Sequence, residues 1–219
     1  AVTREGKVYK LYIDGTLIGQ DASSSNTIPT YASFALGHLL GQSSSFRFKG
    51  NLSDLRISSN VRYTASFTKP TETFSVDATT KHLWHVGPDP HPSLLDQTES
   101  GKRITVTGTT LSHEGPYAGV GGLFFDGVDD EAKLASLPKN LTGDFTLEFW
   151  TQFGPQSNAG ARLLTFYDAN NATMLNLALS TDGRIRIDNG GGPAVGVVSS
   201  SSYHNNLWHH IAVTREGKV

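Results

Sequence analysis

Phe145-Thr146-Leu147-Glu148-Phe149-Trp150-Thr151-Gln152-Phe153 alternates without a break between apolar and mixed positions. Side chains along a strand point to opposite faces in turn, so Phe145, Leu147 and Phe149 share one face and Thr146, Glu148 and Trp150 the other. The pattern predicts a central strand of a β-sandwich. Outward from it, strand-like runs bounded by turn residues recur roughly every 8–15 residues. They are residues 162–166, 174–179, 184–187 and 195–198 on one side, and 82–86, 103–108 and 122–127 on the other. Residues 16–18, 34–37 and 46–57 read the same way, and Thr181-Asp182-Gly183 reads as a hairpin turn. The proline-rich stretch 87–92 is a loop, because proline cannot donate to a ladder. With 219 residues, 23 glycines and 10% aromatics, the chain is expected to form one large all-β domain with very little helix.

A formal charge of -2 provides no broad basic field, so neither nucleic acid nor an anionic membrane is expected as a partner. No apolar run reaches the roughly 18–20 residues of a transmembrane helix, and Ala1-Val2-Thr3-Arg4-Glu5 lacks the regions of a signal peptide. The expectation is a soluble chain without membrane insertion, any secretion signal lying outside it. Cysteine is absent, which removes disulfides, thiolate nucleophiles and cysteine-ligated zinc together. It leaves the compartment open between a cytosolic setting and an extracellular, cell-surface or virion one.

The most unusual feature is a repeat. Residues 1–8 and 212–219 both read AVTREGKV. Joining the second copy to Tyr9 restores a continuous strand, a Glu-Gly turn, a strand and an Asp14-Gly15 turn. The chain is then a single domain in a permuted frame. Residues 79–219 supply the first part of the repeating unit and 1–78 the last, and the two octapeptides are one overlap seen twice. Either the unit comes from a tandem array or the order was permuted deliberately. Two copies of one edge strand compete for one slot, so the spare copy either frays or pairs with a neighbouring molecule by strand exchange.

In the restored order, GGLFFDGVDD, LTGDFTLEFW, NNLWHHIAVTREGKV, YKLYIDGTLIG and FKGNLSDLRISSNVRYTASF resemble the successive signature strands of the laminin G-like 3 family. The likeness spans nearly the whole restored unit. The TTKHLWH opening and the segment VRYTASFTKPTETFSVDATT are similar to variants found in phage virion and bacterial surface proteins. The resemblance implies a two-sheet antiparallel jelly-roll sandwich of the laminin G-like, concanavalin A-like kind, used for glycan binding, adhesion or structural decoration. It also implies a structural calcium that links the early acidic turn to a carboxylate on the penultimate strand, at Asp54.

The turn itself gathers Asp126, Asp129, Asp130 and Glu131, which repel unless they cap a turn or share a hard cation. The candidate metal ligands are therefore Asp54, Asp126, Asp129 and Asp130, with calcium as the possible cofactor and a solvated Asx-turn as the alternative. Tyr203, His204 and Asn205, beside the run Ser199 to Ser202, are the candidate glycan contacts. Related glucanases carry a Glu-x-Asp-x-Glu strand motif, which is missing here, and Glu148 reads as a solvent-facing or ion-paired residue. No catalytic residue is assigned and an enzyme is not expected. His209 and His210 are adjacent on a strand and diverge, as do His82 and His85, which argues against zinc. Sequons stand at Asn51, Asn140 and Asn171. The expected role is a non-catalytic structural or adhesive repeat of an extracellular or virion-associated fibre or coat, partnered with copies of itself. A stand-alone, calcium-assisted carbohydrate-binding module is the alternative, with a glycan as partner.

Overall fold

A computed structural model describes residues 7–24, 31–41, 46–86, 93–98, 100–137, 143–156, 160–188 and 196–217. They form sixteen strands and no α-helix: β1 (Lys7–Ile13), β2 (Thr16–Ser24), β3 (Ser33–Leu36), β4 (Lys49–Ser58), β5 (Thr80–Trp84), β6 (Ser93–Leu95), β7 (Arg103–Thr107), β8 (Thr110–Ser112), β9 (Gly122–Asp126), β10 (Glu131–Leu134), β11 (Phe145–Gln152), β12 (Arg162–Tyr167), β13 (Thr173–Leu179), β14 (Ile185–Asp188), β15 (Val197–Val198) and β16 (Trp208–Glu216). One sheet runs β2-β1-β16-β11-β4-β9-β8, with β5 also on β4, and the other runs β15-β14-β13-β12-β3-β10-β7-β6. Every pairing is antiparallel. The all-β, two-sheet sandwich expected from the alternation is therefore present.

The inner faces of both sheets meet in one core. Phe145, Leu147 and Phe149 of β11 point into it with Ile211 and Val213 of β16 and with Leu164 and Phe166 of β12. Phe34 from the second sheet sets its ring edge-on to Trp84 of the first at 5.5 Å and to Phe166 at 5.8 Å. Such edge-to-face contacts add to the burial of large apolar rings, the main favourable contribution to folding. A bridge between Trp84 and Asp96 ties the two sheets together along one side. On the other side Gly19 leaves room for Val197, whose Cγ1 lies 3.1 Å from where a glycine Cβ would stand.

Three differences from the sequence reading have local causes. Glu131 does not belong to the acidic turn but opens β10, where it pairs with His38 and Lys133. The short strands β6 and β8 carry too few residues to show alternation, which needs at least four or so. The third concerns β16, which is not an edge strand. It is hydrogen-bonded on both sides, to β11 from Trp208 through Arg215 and to β1 from Ile211 through Glu216. Ala212, Val213, Thr214 and Arg215 are almost wholly buried as a result. The octapeptide at 212–219 thus fills an interior slot over its described part; residues 1–6, 218 and 219 lie outside the described residues.

Candidate functional site

The turn between β9 and β10 draws Asp126, Asp129 and Asp130 together, with one oxygen of each within 4.8 Å of the others. Its backbone is shaped from inside. Asp126 Oδ1 accepts the Val128 amide at 2.7 Å, Asp130 Oδ2 accepts the Asp126 amide at 2.7 Å, and Gly127 takes a φ of 85°. Arg47 Nη1 donates to the carbonyls of Asp129 and Asp130. Burial, together with the charges of Asp126 and Asp129, pushes the Asp130 carboxyl above its ordinary range in spite of the Asp126 amide. Three oxygen donors under mutual repulsion suit a hard cation such as calcium.

Asp54 does not converge on that turn. It is the extra residue of a β-bulge where β4 changes partner, from β9 beside Lys49–Leu52 to β5 beside Leu55–Ser58. Its φ of 39° and burial (1% exposed) aim the carboxylate at His85, whose Nδ1 lies 3.2 Å from Oδ1. Oδ2 is buried without a hydrogen-bond partner, as are the Tyr117 hydroxyl and Trp150 Nε1. Tyr117 and Trp150 meet edge-on at 5.2 Å. Burial, then the nearby Asp54 charge, raises the Tyr117 hydroxyl well above its usual range. A buried carboxylate oxygen of this kind calls for a cation or a water, since leaving it bare costs on the order of 1–3 kcal/mol or more. A cavity of about 20 Å³ beside it is lined chiefly by core side chains, among them Leu36, Leu52, Leu55, Trp84 and Phe149, and is too apolar to hold a water.

The outer face of the first sheet holds a third cluster. Glu148 is fully buried at its centre. Arg56 gives it Nε at 2.9 Å and Nη2 at 2.8 Å, Tyr63 donates its hydroxyl at 2.8 Å, and His210 Nε2 lies 3.2 Å away. Burial pushes the Glu148 carboxyl up, but the His210 hydrogen bond, the Arg56 charge and the Tyr63 hydroxyl outweigh it and hold the group below its ordinary range. Residues 59–79 lie over this face as a strap. The Phe67 amide donates to the Gly15 carbonyl and Tyr12 donates to the Tyr63 carbonyl. Arg56 Nη1 reaches the Ser75 carbonyl, and Phe74 covers its guanidinium at 4.5 Å. Glu148 is therefore the ion-paired residue of the two alternatives, not the solvent-facing one.

Tyr203, His204 and Asn205 turn to separate internal partners. Tyr203 packs its ring edge-on to His209 at 5.0 Å. His204 lies over Gly183, which has no room for a Cβ there. Asn205 Oδ1 accepts the Leu207 amide at 3.0 Å and meets His209 Nε2 at 2.9 Å. His209 in turn binds Asp14 Oδ2 at 2.7 Å, and Lys69 holds Asp14 Oδ1 at 3.1 Å. Burial opposes ionisation of Asp14, but His209, the His210 amide and Lys69 overcome it and hold the carboxyl at about 2. The sequence analysis assigned no site role to Asp14, His85, Tyr117 or Trp150. Only Asp14, in an Asp-Gly turn, carried a local signal.

Residues 126–219 match the family model described as the concanavalin A-like lectin/glucanases superfamily, as the resemblance of the strand motifs implied. No curated protein and no solved structure gives a significant match to the chain.

Glu148→Gln leaves Arg56 and His210 facing a neutral amide, and is expected to cost about 3–5 kcal/mol, read as a lower urea midpoint. Asp14 gives a pH signature. Its folded value of about 2 lies below the ordinary 3.8, so its contribution is complete above pH 3.8 and lost as pH falls through about 2. At 1.36 kcal/mol per pH unit the contribution is roughly 2 kcal/mol. Asp14→Asn should therefore lower stability at pH 7 and flatten its dependence on pH between about 4 and 2, followed by urea melts across that range.

Proposed function

We propose that the chain is a non-catalytic repeat of an extracellular or virion-associated assembly, in which successive copies build a fibre or coat and calcium supports the rim of each sandwich. The observation that carries this reading is the register of β1 on β16. Val8 stands opposite Glu216, Tyr9 opposite Arg215 and Leu11 opposite Val213. If Val8 and Val219 are one position written twice, two residues, Gly217 and Lys218, separate the paired Glu216 and Val219. A two-residue loop is the commonest link between antiparallel strands. The register found across two distant segments is thus the one a continuous hairpin would impose, which supports a unit cut from a tandem array.

The chemistry of the clusters points the same way. Glu148, the glutamate at the centre of the first sheet, is sealed, charge-paired and held as an anion, so it has neither access to a substrate nor a proton to give. The turn of Asp126, Asp129 and Asp130 has the donor set for a calcium ion, which would neutralise their repulsion and hold β9 and β10 together. Asp54 sits apart, on a β-bulge with His85, and takes a partner of its own.

Two measurements test the reading. A polypeptide running 79–219 and then directly 9–78, with the octapeptide present once, should fold with the same far-ultraviolet dichroism and a thermal midpoint no lower than that of the 1–219 chain. Failure to fold would remove the repeat frame. For calcium, adding a chelator should lower the thermal midpoint by several degrees, and Asp129→Asn should abolish the difference, because a ligand that binds only the folded state stabilises it. An unchanged midpoint would return the three carboxylates to a plain solvated turn.

A further inference from the structure

The bulge at Asp54 gathers three buried polar atoms from distant parts of the chain. Asp54 Oδ2, the Tyr117 hydroxyl and Trp150 Nε1 are shut off from solvent, and none has a hydrogen-bond partner among the described residues. Trp150 stands opposite Ser53 in the ladder between β11 and β4, which places its indole beside the bulge. Ser53 Oγ donates to the Gly121 carbonyl at 2.7 Å, the Gly121 amide to the Val86 carbonyl at 2.9 Å, and the Val120 amide to the Tyr117 carbonyl at 3.2 Å. Those bonds fasten residues 117–121 against β4 and hold the Tyr117 ring edge-on to Trp150. The Tyr117 hydroxyl feels the Asp54 charge, and the Trp150 N–H leans toward the same oxygen without reaching hydrogen-bond geometry.

The three atoms belong to the outer face of the first sheet. Trp150 packs there with Phe74 and Leu83, with Tyr117 and Trp208 at the margin, apart from the main core. The apolar cavity among Leu36, Leu52 and Phe149 lies on the core side of the same strand.

Donor and acceptor character decides what can sit between them. A carboxylate oxygen accepts, an indole N–H only donates, and a phenol does either. A cation would satisfy Asp54 and confront the indole N–H, whereas an anion would satisfy the indole and confront the carboxylate. A hydroxyl group both donates and accepts, so it alone serves all three. It donates to Asp54 Oδ2, accepts from Trp150 Nε1 and shares one further bond with Tyr117. An ordered water takes about two to four polar partners, and three face it here.

We propose that Asp54, Tyr117 and Trp150 form a binding site for one hydroxyl group, carried by an ordered water or by a small alcohol. His85, whose side chain is 30% exposed, and the half-buried Tyr117 are the outer walls past which it exchanges. One bound group closes three open bonds at once and so ties the 117–121 loop to the bulge. The site shares no residue with the acidic turn or the repeated octapeptide, so it stands or falls apart from the proposed assembly.

Magnetic resonance on the isotope-labelled full chain reads the site directly, because each of the three tryptophans gives one indole N–H signal. The Trp150 signal is identified by its contact with the Tyr117 ring. In the absence of alcohol it should show a cross-peak to water with the sign of a long-lived bound molecule. Titration with methanol separates the two sources. A persistent cross-peak and an unmoved signal assign the hydroxyl to water, whereas a saturable shift with loss of the cross-peak assigns it to the alcohol. Tyr117→Phe removes the phenolic proton that could relay the signal and keeps the ring, so the cross-peak should weaken but survive. Asp54→Gly suits the φ of 39° and removes the acceptor, so cross-peak and methanol response should both disappear. The proposal is overturned if the parent shows neither a water cross-peak nor a methanol shift, or if potassium or calcium chloride moves the Trp150 signal instead. It is equally overturned if Tyr117→Phe loses the cross-peak entirely, or if a folded Asp54→Gly chain keeps it unchanged.

Discussion

The structure depends on the burial of β11 and β16 on both faces. A sandwich strand ordinarily hides one face in the core and wets the other. Here the strap of residues 59–79 lies over the outer face, so Thr146, Glu148, His210 and Thr214 are removed from water as completely as the phenylalanines behind them. Polar groups so placed need partners, and the geometry of the region follows from finding them. Arg56 neutralises Glu148, His210 Nε2 meets its other oxygen, Tyr63 joins the strap to it, and Thr146 both accepts the Arg62 amide and donates to the Asn60 carbonyl. The strap has no strand of its own and is held by these bonds and by the stacked rings of Tyr63 and Phe67.

Much of the fold was legible because its signals are periodic. The alternation at 145–153 identified β11, and eleven of the runs read as strands overlap strands of the structure. The core side of β11 followed directly. What the alternation could not carry was the fate of the other face. A glutamate between Leu147 and Phe149 looks the same in sequence whether water or a guanidinium and a phenol stand above it, because the partners arrive from residues 56 and 63, far along the chain. The same limit hid the Asp54 environment: nothing local marks the residue at which one strand exchanges one neighbour for another.

The candidate site divides in a similar way. Asp126, Asp129 and Asp130 were visible as a cluster since a tight turn keeps close in space what is close in sequence. Asp54 was attached to them by family likeness, and the bulge turns it toward His85 instead. Tyr203, His204 and Asn205 read as one loop, and in the crossing from β15 to β16 each meets a different neighbour: His209 for Tyr203 and Asn205, Gly183 for His204. Residues adjacent in a polar loop share a location without sharing a direction.

The rims of the two sheets bear on crowding. Among the described residues, three of the five strands paired on one side only are very short, with three residues in β6, three in β8 and two in β15; β5 has five, and the long one, β2, lies against Val197 from the opposite layer. A row of identical neighbours tethered side by side would present any open rim to its own duplicate at very high local concentration, which is the condition under which sheets fuse into insoluble stacks. Clipped rims offer such fusion little template.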